Sequence, residues 1–387
     1  MISPRLAFLV GLVCPIVNAA ASSPNDTYIH PKNGLCTDYT ITETVTWSKG
    51  IWNLTKPQNN FDIAALRTSL GALDSHVVPF SGFENATDSY ELSGTFCEPV
   101  VKNGDKHHTV LLATHGGGYD RRYWASSFRP DEYNFVQFAL ECGYSVFYYD
   151  RLGTGKSQIV SGYDVQSGNH IELLAKIAQG LRKGKYATGK AAKKIVLVGH
   201  SLGSIFSFGA VTKYPEIAEG LVLTGASLPN STDVANKFRG LNPTYQNTLL
   251  ASSVDPPYDR DSAYVSMGDI YAHAGSFFHE PFDIPTIEYA QSITQPTSLL
   301  EMLSSGRVSN APVSYNGSVM ITTGEWDMLA CGGHCQERFD YGTQNSTFGN
   351  ARVRKTYIHP GAGHGVNFAR GARVFYGEIM GFIGEFV

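Results

Sequence analysis

The chain has 387 residues, of which 42% are hydrophobic and 17% charged, with a formal net charge of −4. That apolar supply can fill a sizeable core and excludes an intrinsically disordered chain. No basic stripe is visible, so nucleic-acid binding has no electrostatic support.

In chain order, residues 1–21 read as a secretory signal peptide. Arg5 carries the charge, residues 6–17 form an apolar run too short to span a bilayer, and Ala19-Ala20-Ala21 offers small residues for cleavage. Residues 22–387 follow as one domain, for which no stable membrane insertion is expected. Sequons at Asn25, Asn53, Asn85, Asn230, Asn316 and Asn345 agree with secretion and should lie on the surface. Once Cys14 leaves with the signal peptide, Cys36, Cys97, Cys142, Cys331 and Cys335 remain. An oxidising compartment favours two disulfides and one free thiol. The expected pairs are Cys36 with Cys97 and Cys331 with Cys335. Cys142 ends a helix-like run and is expected to be buried and inert. The cluster Cys331-Gly-Gly-His334-Cys335 holds too few ligands in one loop for zinc.

Residues 38–49 alternate polar and apolar, as an antiparallel strand would, and residues 89–100 read similarly. Residues 109–114 form a short apolar run, hence a buried strand. Strand and helix then alternate. Helices are expected over 131–141, 171–181, 202–214 and 369–386. Strands are expected over 144–149, 194–198, 221–223, 319–323 and 353–358. This order implies a mostly parallel sheet with helices on both faces and the early antiparallel strands at one edge. Residues 228–310 break the alternation. They carry Tyr245, Tyr258, Tyr264, Tyr271, Phe277, Phe278, Phe282 and Tyr289 with no clear strand. We read them as a mainly helical cap whose aromatics form its own core or wall an apolar pocket.

The segment Gly199-His200-Ser201-Leu202-Gly203 follows four aliphatic residues and precedes an apolar helix. A nucleophilic serine needs such a strand-turn-helix, because the tight turn lifts its hydroxyl above the sheet edge. His115-Gly116-Gly117-Gly118 ends an earlier strand, where a backbone N–H can supply half of an oxyanion hole. Gly117 is the expected donor, Gly118 the alternative, and the Leu202 N–H the other half. The acid should follow a later strand. Asp327, three residues past Gly324, is favoured over Glu325. The base should lie after the last strand. His364, in a glycine-rich loop, is favoured over His359. Asp150 and Arg151 should brace the loops around the site, and Asp150-Arg151-Leu152-Gly153-Thr154-Gly155-Lys156-Ser157 lacks the spacing of a phosphate loop. His200 should pack behind the nucleophile. Asp120, Arg121, Arg122 and Trp124 either line the entrance or form an exposed charged turn.

Together, His115-Gly116-Gly117-Gly118 with Trp124, the 150–157 segment, the Ser201 turn, Gly324-Glu325-Trp326-Asp327 and Gly363-His364 resemble the α/β-hydrolase superfamily. The likeness covers residues 105–387 and is nearest to the secreted fungal hydrolases of the esterase and lipase type. It implies an eight-stranded sheet, a lid and no cofactor, with Ser201 as nucleophile, His364 as base and Asp327 as acid. Dehalogenases and epoxide hydrolases carry Asp at the turn, so Ser201 argues against both.

The expected function is hydrolysis of carboxylic esters, lactones included, of medium-sized apolar or aromatic small molecules. Three alternatives are an exopeptidase of the prolyl type, a silent binding protein on the same fold, and a cyclase or thioesterase. Glu280, Asp283 and Glu288 are the candidate amine anchors that an exopeptidase would need.

Overall fold

Short runs of aliphatic residues, buried on both faces, organise the molecule. The computed structural model describes residues 28–71, 76–186, 190–227, 248–308, 313–340 and 347–387. The expected signal peptide, Asn25, Asn230, Tyr245 and Asn345 lie outside these residues. The main sheet has eight strands. They are β1 (Gly34–Trp52), β2 (Phe80–Pro99), β3 (Thr109–Thr114), β4 (Ser145–Tyr149), β5 (Lys194–His200), β6 (Gly220–Thr224), and two late strands, Ser318–Gly324 and Val353–His359. Between β6 and these late strands come β7 (Thr248–Leu250), β8 (Tyr264–Met267) and β9 (Thr297–Ser298), so the late pair are β10 and β11. The order across the main sheet is β1-β2-β4-β3-β5-β6-β10-β11. From β4 to β11 every neighbour is parallel, while β1 with β2 and β2 with β4 are antiparallel.

Alternate residues of each central strand serve opposite faces, as the pleat requires. Val110 and Leu112 of β3, with Ile195 and Leu197 of β5, belong to one core layer. Leu111 and Ala113, with Val196 and Val198, belong to the other. In chain order the helices are α1 (Asn60–Gly71), α2 (Pro130–Tyr133), α3 (Phe135–Glu141), α4 (Ser167–Arg182) and α5 (Leu202–Lys213). They continue with α6 (Ile270–Phe277), α7 (Ile284–Ser292), α8 (Leu299–Ser305), α9 (Met328–Cys331), α10 (Cys335–Asp340) and α11 (Ala372–Phe386). On the first face α4 buries Leu173, Leu174, Ile177, Ala178 and Leu181. On the second, α11 presents Phe375, Tyr376, Ile379, Phe382 and Ile383, a helical stripe. The helix expected over 131–141 is interrupted at Asn134, whose side chain caps α3 through the Gln137 N–H at 2.8 Å.

The stretch between β6 and β10 contains the expected helices, α6 to α8. It also contains a small antiparallel sheet of order β7-β8-β9, which the absence of any clear strand in the sequence did not foresee. Its strands have three, four and two residues, too few to display an alternation. At the other end of the chain, Cys36 and Cys97 face each other in the β1–β2 register and form a disulfide, and Cys331 is bonded to Cys335. Cys142 is half-buried rather than fully buried, and burial raises its thiol pKa. The sequons at Asn53, Asn85 and Asn316 are exposed. Among the described residues no helix is long and apolar enough to cross a membrane.

Candidate active site

Five parallel strands, β3, β5, β6, β10 and β11, end beside one another, and four of them hand their loops to one place. In a sheet of this kind the carboxyl ends of the strands border the ligand crevice. Thr114 at the end of β3 pairs with Gly199, and His200 at the end of β5 pairs with Thr224. Gly324, closing β10, pairs with His359, closing β11.

Ser201 follows β5 with φ 52° and ψ −117°, and α5 begins at the next residue. Only two non-glycine residues have positive φ among those described, Ser201 and Arg129. Such a backbone is costly for an L-residue with a side chain and persists where surrounding packing enforces it. The enforcement is visible. A Cβ on Gly203 would meet the backbone of Thr114 and His115, and one on Gly116 would come 2.9 Å from the Ser201 Cβ. Glycine at 116 and 203 thus lets the turn sit against the β3 loop. Ser201 and Gly117 are half-buried, while Leu202, Gly116 and Gly118 are buried.

Asp327 and His364 come together. The His364 Nδ1 lies 2.8 Å from Oδ2 and 3.0 Å from Oδ1 of Asp327, with both residues buried. Asp327 also caps α9, accepting the Leu329 and Ala330 N–H groups at 2.9 and 2.8 Å, and the Thr323 hydroxyl donates to its Oδ2. Burial pushes its carboxyl pKa up, but the adjacent His364 and these hydrogen bonds outweigh that and hold it below the usual value. An ionised carboxylate only accepts, so the His364 Nδ1 carries a proton and donates it, and in the neutral imidazole the lone pair is then on Nε2. That Nε2 is buried and has no hydrogen-bond partner among the described residues. The alternatives are engaged elsewhere. Glu325 accepts the Gly361 N–H at 2.8 Å, and His359 pairs with the Arg370 carbonyl at 3.1 Å.

His200 packs behind His364, with ring centroids 4.8 Å apart, and stacks on Tyr123 at 4.4 Å. The Thr224 hydroxyl donates to the Gly199 carbonyl, so it accepts from His200 Nδ1 at 3.1 Å. Burial, then the nearby His364 and His115, keep the His200 imidazole well below its ordinary pKa. Of the two candidate amides in the glycine loop, Gly118 N–H donates to the Thr297 hydroxyl at 2.7 Å. The Gly117 and Leu202 N–H groups have no acceptor among the described residues.

The segment between β6 and β10 covers this centre. Phe277, at the end of α6, packs edge-on against His364 with centroids 5.1 Å apart, and its carbonyl accepts the Gly365 N–H at 2.7 Å. Tyr264 and Tyr289 are buried, and Tyr271 and Phe282 are exposed, so these aromatics divide between the interior and the surface. His273 is buried between the Tyr119 hydroxyl, 2.6 Å from Nε2, and the Gln291 Oε1, 2.9 Å from Nδ1.

Two expectations are corrected. Asp120, Arg121, Arg122 and Trp124 form neither an entrance rim nor an exposed turn, because all four are buried. Asp120 accepts from Arg122 and from the Tyr28 hydroxyl, and Arg121 donates its N–H to Asp150 at 2.9 Å. The acidic anchors do not converge on the site either: Asp283 pairs with Arg129 at 2.8 Å, while Glu280 and Glu288 are exposed. Sequence reasoning missed Thr297, Thr323, His170 and Glu301. Glu301 carried a signal, a lone acid within Leu299-Leu300-Glu301-Met302-Leu303.

Residues 110–375, more than half of the chain, match the family described as the alpha/beta hydrolase family. A chloroplast protein of Arabidopsis thaliana, assigned by its name to the methylesterases, is 26% identical over 189 residues, 45% of this chain and 38% of that one. A proline iminopeptidase of Saccharolobus solfataricus is 23% identical over 195 residues, 48% of this chain and 56% of that one. The chain therefore matches from about two fifths to just over half of these relatives' own lengths. Among solved structures, a thermophilic esterase from Thermogutta terrifontis superposes with a TM-score of 0.50 at 18% identity, covering 76% of this chain and 94% of that one. A hydrolase from Pseudomonas aeruginosa gives 0.50 at 16%, covering 77% and 96%. The parallel strand order, the turn at Ser201 and the extent of the family match lead to one conclusion: the chain belongs to the alpha/beta hydrolase family.

Proposed function

We propose that the chain is a secreted serine esterase that cleaves carboxylic esters of medium-sized apolar or aromatic small molecules, lactones included. The observation that carries this reading is the buried His364, fixed by Asp327 at Nδ1 and unpartnered at Nε2 among the described residues, on the same sheet edge as the turn that holds Ser201. In the proposed reaction the His364 Nε2 takes the Ser201 proton as Oγ attacks the ester carbonyl. The Gly117 and Leu202 N–H groups receive the charge that develops on the carbonyl oxygen. His364 then gives the proton to the departing alcohol, and water, activated by the same nitrogen, releases the acid from Ser201. The methylesterase-named relative and the exposed sequons at Asn53, Asn85 and Asn316 support the ester and secretion parts of the reading.

A second reading, an aminopeptidase, draws on the iminopeptidase relative. It is weakened by the engagement of Asp283 with Arg129, which leaves a substrate amine without that anchor. A fluorophosphonate probe on the full-length chain, with Ser201→Ala as control, tests the mechanism. Labelling is expected to vanish in the variant, and labelling that survives it overturns the assignment. p-Nitrophenyl esters against aminoacyl anilides then separate the two substrate classes.

A further inference from the structure

Behind the glycine loop lies a buried ionic chain that the proposed mechanism does not use. Glu301, on α8 of the covering segment, is buried against Arg151 and His170. Its Oε2 lies 2.5 Å from the Arg151 Nη1 and 2.8 Å from the His170 Nε2. The second fork nitrogen, Nη2, donates to the Gly116 carbonyl at 3.0 Å. The Arg151 backbone N–H donates to the His115 Nε2 at 3.0 Å. This makes Nε2 the acceptor, so His115 carries its proton on Nδ1 and donates it to the same Gly116 carbonyl at 2.8 Å. Gly116 O therefore receives two buried donors from one connected network.

The Gly116 carbonyl and the Gly117 N–H belong to one peptide unit. That unit is planar and trans, so its C=O and N–H point in opposite directions. Holding the carbonyl toward Arg151 and His115 forces the N–H toward the other side. Two glycines in sequence would otherwise turn this plane at little cost. Gly118, the next amide, is held separately by Thr297 of β9.

We propose that Arg151, anchored by Glu301, is a positioning residue that fixes the Gly116–Gly117 peptide so that the Gly117 N–H serves as an oxyanion donor. The covering segment thereby sets the catalytic rate of the site beneath it as well as its walls. This rests on the reading of Ser201, His364 and Gly117 as acyl-transfer machinery. Arginine is required because its rigid fork spans both partners at once, with Nη1 on Glu301 and Nη2 on the Gly116 carbonyl and, at 3.4 Å, on the second Glu301 oxygen, whereas lysine has a single nitrogen.

The test compares wild type, Arg151→Lys and Glu301→Gln as full-length chains, on a chromogenic ester that wild type cleaves. Lysine keeps the charge opposite Glu301, so the thermal midpoint should stay near that of wild type. Its kcat should fall about ten- to a hundredfold, with KM changed by no more than about twofold. A trifluoromethyl ketone supplies a readout that a merely structural role would not move. Ser201 Oγ adds to its carbonyl carbon, the proton passes to His364, and the carbonyl electron pair moves onto oxygen as an alkoxide in the hole. Its affinity should fall in parallel with kcat/KM in both variants. Equal kcat in Arg151→Lys and wild type would overturn the clamp while leaving the esterase reading intact. Loss of kcat with unchanged ketone affinity would overturn it equally. A wild type that cleaves no ester and takes no fluorophosphonate at Ser201 overturns the underlying reading itself.

Discussion

At the scale of single residues, the candidate chemistry depends on one tautomer. Asp327 is fixed by four donors, His364 Nδ1, the Thr323 hydroxyl and two helix-capping amides, so its charge and direction are both set. Asp327→Asn would present an amide N–H or a neutral carbonyl to Nδ1 and release the tautomer. Its kcat on an ester should fall roughly 10³–10⁴-fold with little change in KM, as measured by steady-state kinetics. Ser201→Ala should lose at least about a thousandfold. Gly203→Ala should fail earlier, because its methyl would overlap the Thr114 carbonyl; the soluble yield would report this.

At the scale of elements, the two disulfides do different work. Cys36–Cys97 links residues 61 apart in sequence across the edge hairpin, whereas Cys331–Cys335 spans a separation of four. By loop entropy the first contributes about 4 kcal/mol and the second about 2 kcal/mol or less. The short bridge instead closes the turn that starts at Asp327. The Asp327 carbonyl accepts the Cys331 N–H at 3.2 Å and the Gly333 N–H at 3.0 Å. The double variant Cys331→Ser/Cys335→Ser should therefore lose several-fold in kcat with a small shift in thermal midpoint. Cys36→Ser/Cys97→Ser should lose stability with kcat at low temperature nearly unchanged. Denaturant titration beside kinetics separates the two. A variant of the short bridge that unfolds the protein and leaves kcat intact would contradict this division.

For the whole molecule, buried titratable groups predict the response to acid. Burial alone would raise Glu301, but Arg151 and His170 bring it down to about 2 from 4.5. A carboxylate depressed on folding adds stability that is complete above the unfolded value of 4.5 and disappears as pH falls through about 2. Burial lowers His273 from 6.5 to about 4, so its contribution is complete above 6.5 and is lost as pH falls through about 4. Asp150, raised by burial and by Asp120, has the opposite slope. Glu301→Gln should cost about 3 kcal/mol or more at neutral pH, since it strands Arg151 in the interior. Urea midpoints should also show a flatter pH profile for it between 4.5 and 2. An unchanged profile would mean that Glu301 is not held as an ion pair.

Much of this was legible in the amino-acid order. The centres of β3, β5 and β10 are apolar because parallel strands are buried on both faces, so their positions and the loops after them could be read directly. The candidate residues sit at strand ends, and strand ends are local features. Asp327 and His364, 37 residues apart, were paired in advance only by their places in the strand order. Tertiary structure decided the rest. It buried Asp120, Arg121 and Arg122, which in sequence read as a charged turn, because their partners Tyr28 and Asp150 come from distant segments. It also brought Glu301 to Arg151 across 150 residues, and Thr297 to Gly118 across 179. Periodicity and motif spacing are short-range signals, and neither encodes which buried charge meets which. The turn at Ser201 was therefore determined by sequence alone, whereas the orientation of the Gly116–Gly117 peptide beside it was decided by contacts that only the folded chain makes.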